Sequence, residues 1–286
     1  MFKQRVLTAL LLAPLALAAV FFLPLAGFAI FVAVAFLLAA FEWASFCGWQ
    51  RPLVKCSYVA VTALGLVGTY FALPSALQWP IGSNLFAESL IYLGILWWLI
   101  AVLLITSFNY SKVLWQHNTL LKALMGFATL IPSFGALLLL RNVDYTQSPF
   151  TGAWLICILL GLVWAADIGG YVIGKPFGKH KLMPAVSPGK TVEGLAGGML
   201  FVLLLVTAIA AHLDFPQEMT LWYCAAVLLT LLSVFGDLSE SMFKRVAGLK
   251  DSGSIIPGHG GIMDRIDSLT ATAPLYALFV ALFGGY

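Results

Sequence analysis

Residues 236–268 read GDLSESMFKRVAGLKDSGSIIPGHGGIMDRIDS. They carry five carboxylates, Asp237, Glu240, Asp251, Asp264 and Asp267, beside four basic side chains, Lys244, Arg245, Lys250 and Arg265. The whole chain has only 12 Asp and Glu, so this stretch takes a large share of its acid. On a helix, Asp237, Ser241 and Lys244 share one face, because they are spaced by four and then three positions. Asp264 and Asp267 do the same, with Arg265 turned elsewhere. The glycines of 253–261 would let backbone N–H groups approach an anion. Such a set suits a phosphate–metal site. Magnesium takes oxygen ligands and is commonly held by one or two carboxylates plus substrate phosphates. Lys and Arg then hold the remaining phosphate charge. A solvated loop of self-paired charges is the bland alternative. The density of Asp at helix-face spacing, hard against apolar runs, favours a site.

A second polar stretch, residues 174–193, reads GKPFGKHKLMPAVSPGKTVE and adds Lys175, Lys179, Lys181 and Lys190. A basic loop of this kind can attract anionic headgroups or close over a nucleoside triphosphate. Gly189-Lys190-Thr191 imitates the end of a phosphate-binding P-loop, but Pro184 stands where that pattern needs glycine. His180 and His259 are isolated. For His259, phosphate contact or proton exchange competes evenly with a structural hydrogen bond. Asp167 lies within an apolar run, WAADIGGYVIG. A charge near mid-bilayer costs about 2.5–3.5 kcal/mol on insertion scales, so Asp167 is expected to face a partner or a polar cavity as a metal or substrate ligand, a structural hydrogen bond between helices being the alternative.

The elements that must hold these groups follow from composition. The chain has 286 residues, 62% hydrophobic and 9% charged. A soluble domain carries about 25% charged residues. Its 27 charged side chains could not cover a soluble globule, which excludes a water-soluble enzyme, a disordered chain and a nucleic-acid binder with a basic surface. Mean hydropathy is +0.99. Apolar runs fall near 6–23, 25–41, 54–73, 85–106, 120–140, 152–173, 194–211, 220–235 and 269–284. Each approaches the roughly 20 residues a spanning helix needs. The expected fold is therefore all-α and polytopic, with about nine transmembrane helices, eight being the alternative. It forms a single transmembrane domain, divided into N-terminal helices over 1–150 and a catalytic part over 151–286.

Counting basic residues gives the orientation. With the N-terminus in the cytoplasm and nine alternating spans, 14 of the 15 Lys and Arg fall on the cytoplasmic side, and only Arg141 falls outside. That is the positive-inside bias. Glu88, Asp144, Asp214 and Glu218 fall at outer ends, where they are solvated. The start of the chain, MFKQR before a long apolar run, imitates a signal peptide, but the run continues past Pro24 and Gly27 to Phe41, so a retained helical hairpin is expected. Cys47, Cys56, Cys157 and Cys224 form no CxxC pair and read as small packing residues.

The run SMFKRVAGLKDSGSIIPGHGGIMDRID, residues 241–267, resembles the C-terminal motif of the CDP-diacylglycerol synthase (phosphatidate cytidylyltransferase) family. The family's elements fall on Ser241, Lys244-Arg245, Lys250-Asp251, His259-Gly260-Gly261, Asp264-Arg265 and Asp267. The stretch ADIGGYVIGKPFGKHKL and the later SPGKTVEG resemble the family too. The commoner form has Ser or Thr and then Gly-Ala after the first Asp; Ile168-Gly169-Gly170 stands here and loses a hydroxyl. The resemblance implies transfer of a cytidylyl group from CTP to phosphatidic acid, giving CDP-diacylglycerol and pyrophosphate in phospholipid synthesis.

What the resemblance implies for residues is specific. Asp237 and Asp264 are the leading metal ligands, with Asp267 and Asp167 next. Lys244, Arg245, Lys250, Lys190 and Arg265 would bind phosphates, and Ser241 and His259 would make polar contacts. The implied cofactor is Mg2+, with a second metal ion left open. The implied partners are CTP, phosphatidic acid and membrane lipids, without nucleic acid, and a homodimer is left open. The implied location is the bacterial cytoplasmic (inner) membrane, with the N-terminus and active site facing the cytoplasm. Rival classes are an ion-coupled transporter, a CTP-dependent lipid kinase and a structural scaffold. The one-sided gathering of charge and the lack of a repeat speak against the transporter.

Overall fold

The structure is a computed structural model describing residues 2–74, 84–211, 219–256 and 260–283, with side chains described from Leu10 onward. Asp214, Glu218 and His259 lie outside the described residues. Ten helices and one small hairpin make up the described chain: α1 (Phe2–Phe22), α2 (Leu25–Phe46), α3 (Pro52–Ala72), α4 (Leu85–Thr106), α5 (Phe108–Trp115), α6 (Thr119–Asn142), α7 (Thr151–Phe177), β1 (Lys181–Met183), β2 (Ser187–Thr191), α8 (Val192–Ala210), α9 (Met219–Ala247) and α10 (Met263–Phe283). Every apolar run of the sequence becomes a helix. Among the described residues, eight of them are long and apolar enough to cross a membrane. The chain is an all-α, multi-pass membrane protein, as the composition requires. A bilayer offers no hydrogen bonds, so each crossing segment must satisfy its backbone internally.

Helix starts carry local signals. Pro52 occupies the first turn of α3, where its missing N–H costs nothing. Asn84, Asn118 and Thr191 cap α4, α6 and α8 by accepting from the backbone N–H of Ala87, Leu121 and Gly194. Two elements go beyond the sequence expectation. The polar break near Asn109–Asn118 folds as α5, whose Trp115 ring packs 5.2 Å from that of Phe243 at the end of α9. The basic loop after α7 folds as the antiparallel β1–β2 hairpin.

α6 forms the centre of the bundle and is buried over most of its length. It packs on α2, α3, α4, α7 and α10. Several polar side chains inside the bundle bridge helices: Trp98 donates to the carbonyl of Thr270 at 3.0 Å, Ser133 to the same carbonyl at 2.6 Å, and Trp97 to Thr129 at 2.9 Å. The contacts alternate from end to end. At one end, Trp43 late in α2 donates to the carbonyl of Lys122 at the start of α6. At the other, Arg141 at the end of α6 donates to Val20 and Leu23 near the end of α1 and to Pro149 before α7. Successive spans therefore run in opposite directions, and the polar segments of residues 174–193 and 236–268 meet at one end. All four cysteines are free, with Cys47 buried and Cys56 and Cys224 exposed.

Candidate active site

α7, α8, α9, α10 and the hairpin enclose a cavity of about 800 Å³ at that end. Six carboxylates line it, Asp167, Asp237, Glu240, Asp251, Asp264 and Asp267, with four cations, Lys175, Lys190, Lys244 and Arg265. A separate cavity of about 220 Å³ between α2, α3 and α6 is lined by aliphatic and aromatic side chains, with Tyr70 as its single polar-tipped residue.

Close helix packing shapes the charged cavity. Gly169, Gly170 and Gly174 of α7 face Gly194, Gly197 and Gly198 of α8. A Cβ on Gly169 would run into the carbonyl of Gly197, and one on Gly198 into the carbonyl of Ala166. Small residues let two backbones approach where hydrocarbon gives no other drive to associate. Asp167 rides on this helix pair and faces the cavity. Lys190 at the end of β2 reaches α9: its Nζ lies 2.7 Å from the Asp237 carboxylate and donates to the carbonyl of Val234 at 3.3 Å. Arg245 does not line the cavity; its Nε donates to the carbonyl of Val186 at 3.1 Å and fastens the hairpin to α9. Glu193 closes the hairpin's base, accepting from the backbone of Lys179 and His180 and lying 2.6 Å from His180 Nδ1. His180 is thereby occupied structurally.

Lys244 stands between two acids. Its Nζ is 2.9 Å from Glu240 and 2.6 Å from Asp264. The other Asp264 oxygen accepts from the backbone N–H of Ser252 at 3.0 Å and of Gly261 at 2.8 Å, and from the Ser252 hydroxyl at 2.8 Å. Both of its oxygens are engaged within the protein, so Asp264 organises the start of α10 and holds Lys244. Asp267, three residues on, behaves differently. It is buried, accepts from the Ser268 N–H at 2.7 Å, and lies within electrostatic reach of Asp237, Asp167 and Lys190.

A family model described as "Cytidylyltransferase family" matches residues 3–283. The chain belongs to the cytidylyltransferase family. It is 40% identical over 287 residues to a relative named phosphatidate cytidylyltransferase from Haemophilus influenzae, covering 98% of each chain. It is 38% identical over 278 residues to one of the same name from Pseudomonas aeruginosa, covering 97% of this chain and 96% of that one. A Bacillus subtilis relative of that name is 40% identical over 196 residues, 65% of this chain and 67% of its own.

Among the residues expected to serve this cytidylyltransferase, the cavity collects Asp167, Lys190, Asp237, Lys244, Asp264, Arg265 and Asp267. Ser241, Arg245 and Lys250 do not line it. Ser241 is half-buried on α9, and Lys250 is exposed beyond the end of α9.

A divalent cation at this site would draw its protein oxygens from the cavity's carboxylates. Among the described residues, no three His, Cys, Asp or Glu side chains form a ready chelate. Magnesium does not require one, since substrate phosphates complete its oxygen shell. The excess of carboxylates over cations in a cavity that must admit a polyphosphate fits a bound cation. Asp167, Asp237 and Asp267 line the cavity without holding the glycine-rich turn and could supply oxygens to the cation, Asp237 by exchanging its contact with Lys190. Asp264, foreseen as a leading ligand, spends its oxygens on Lys244, Ser252 and Gly261.

One residue of this region escaped the sequence reading. Glu42, near the end of α2, is buried and accepts from the backbone N–H of Ile262 at 3.1 Å and Met263 at 2.8 Å, with the Ser252 hydroxyl 3.1 Å away. Gly253 and Gly261 wrap its carboxylate, and a Cβ on either would collide with it. The glycine-rich turn was expected to bring N–H groups to an anion. Among the described residues, the anions it meets are the protein's own Glu42 and Asp264. Glu42 was findable by the rule that flagged Asp167, as a lone acid in the apolar run FLLAAFEWASF.

Proposed function

We propose that this chain transfers the cytidylyl group of CTP to phosphatidate, forming CDP-diacylglycerol and releasing pyrophosphate, with magnesium as cofactor. A phosphate oxygen of phosphatidate bonds to the α-phosphorus of CTP as the bond to the β-phosphate oxygen breaks, and the electron pair leaves with pyrophosphate. The nucleophile is already ionised at neutral pH, so no strong base is needed. The difficulty is repulsion between two anions, and catalysis is mainly positioning and charge stabilisation.

The observation that carries this reading is the cavity's mixed lining of carboxylates and cations beside membrane-spanning helices, in a chain closely similar to phosphatidate cytidylyltransferases over nearly its full length. Asp237, Asp267 and Asp167 would hold the magnesium, which would supply positive charge to the phosphates. Lys190 and Arg265 hold phosphate oxygens, and Lys244 adds charge while fixed by Glu240 and Asp264. Tyr171 supports a lipid substrate arriving from the side. It lines the cavity, is 64% exposed, and lies 2.7 Å from Lys175 Nζ. Exposed Trp164, Ile168 and Val172 on the same helix give the acyl chains an apolar approach.

The site faces the cytoplasm, where CTP is available, and the membrane is the bacterial inner membrane. The positive-inside bias supports this side, because the basic loops flank the cavity. The decisive assay uses the purified chain in detergent with labelled CTP, phosphatidate and magnesium. CDP-diacylglycerol plus pyrophosphate is the expected outcome. Release of CDP with a doubly phosphorylated lipid would replace it with a lipid kinase.

A further inference from the structure

We propose that Glu42 is a positioning residue for the catalytic end of the molecule, holding Lys244 in the cavity through Ser252 and Asp264. This rests on the cytidylyltransferase reading for its activity readout, but its structural basis is independent of the substrate.

A relay of short contacts links the residues. Glu42 takes the N–H groups of Ile262 and Met263, which open α10 and have no carbonyl of their own helix to bond. A carboxylate there satisfies those donors and complements the helix dipole. The Ser252 hydroxyl sits between the two acids, 3.1 Å from Glu42 and 2.8 Å from Asp264. Asp264 then reaches Lys244 at 2.6 Å. Glu42 contributes nothing to the cavity lining. Its influence passes through the backbone turn it holds and through Ser252.

The sequence distance makes the arrangement informative. Glu42 and Met263 are 221 positions apart, so this hold on the start of α10 comes from a distant helix and adds to the local contacts of Asp264. α2 reaches over from the N-terminal part of the chain and fixes the segment that carries Asp264, Arg265 and Asp267. Gly253 and Gly261 leave the room that the carboxylate needs. A buried acid that accepts from two backbone N–H groups beside a serine hydroxyl is suited to hold a loop rather than to transfer a proton.

The test compares purified Glu42→Gln, Ser252→Ala, Asp264→Asn and the Glu42→Gln/Asp264→Asn double variant. Glutamine keeps size and one oxygen acceptor but presents an N–H group to donors already present. Turnover of Glu42→Gln is expected to fall ~10- to 100-fold, the scale of a lost hydrogen bond to a charged group. Ser252→Ala falls by less. Because both acids act through one relay, the double variant is expected within about twofold of Asp264→Asn alone. Losses that multiply, or wild-type turnover in Glu42→Gln, would overturn the proposal. Hydrogen exchange supplies a readout without substrate. Amides 261–264 should exchange faster in Glu42→Gln, while those of α8 stay unchanged. Faster exchange across the whole chain would mark Glu42 as a general stability residue and overturn the positioning role. If the wild-type chain made no CDP-diacylglycerol, the proposed reaction would fall, and the exchange data alone would decide the role of Glu42.

Discussion

Lys190 and Asp237 meet at 2.7 Å across the cavity, one from the end of the hairpin and the other from α9. The pair is partly exposed, at 23% and 37%, so it adds only about 0–1 kcal/mol to stability. Its importance is electrostatic. In the proposed reaction the lysine would exchange this acid for a substrate phosphate. Lys190→Gln is expected to raise the KM for CTP by ~10-fold, one lost charge-assisted contact, while the melting temperature stays unchanged. Steady-state kinetics at saturating phosphatidate, with a thermal melt in the same detergent, would check both. An unchanged KM for CTP would remove Lys190 from the phosphate site.

Asp264 and Asp267 should separate in a magnesium titration. Asp267→Asn and Asp237→Asn are expected to raise the magnesium concentration for half-maximal activity. Asp264→Asn is expected to cut turnover by about 30-fold or more without moving that concentration, since its lost partners are Lys244, Ser252 and Gly261. A chelator should abolish activity of the unaltered protein, and added magnesium should restore it. If Asp264→Asn shifted the magnesium requirement most, the division between ligand and organiser would be reversed.

The α7–α8 contact should tolerate no added methyl at Gly169. Its Cβ would meet the backbone carbonyl of Gly197 and the ring of Phe201, and backbone cannot swing aside. Gly169→Ala is expected to cost about 1–3 kcal/mol through overpacking. Gly68→Ala in α3, where nothing stands near the added carbon, serves as the comparison. Thermal melts of the two variants give the answer.

Cys47 is buried, and its thiol is pushed up to about 12 by loss of solvation, with Lys122 nearby opposing the shift. It is therefore a neutral thiol at physiological pH. A raised thiol pKa stabilises the fold below the unfolded value and withdraws that stabilisation as pH climbs towards the folded one. Maleimide at pH 7.5 should spare Cys47 in the folded protein and modify it after denaturation, as read by mass spectrometry. Ready labelling in the native protein would contradict its burial.

The spans were legible because a stretch of about 20 apolar residues has few other fates. Asp167 was legible because an acid inside such a stretch needs a reason. Asp264 and Asp267 were harder. Helical spacing put them on one face, yet Asp264 occupies the first turn of α10, where free N–H groups capture a carboxylate. Asp267 lies beyond that turn and stays with the cavity. The family resemblance implies phosphate binding by Arg245 together with Lys244, but neighbouring residues on a helix point apart, and Arg245 reaches the hairpin instead. The partners of Glu42 are backbone groups more than 200 positions away, which no local pattern encodes.

The charged cavity ends inside the bundle. Beyond Asp167 and Asp267 come the buried side chains Leu159, Leu162, Ala226 and Leu229, with Tyr276 and Val280 of α10. The far end of α6 is tied down by Arg141 on the carbonyls of Val20, Leu23 and Pro149. A hydrated ion that entered the cavity would therefore meet closely packed side chains, hydrocarbon interspersed with the buried hydroxyls of Thr230, Ser233 and Thr272.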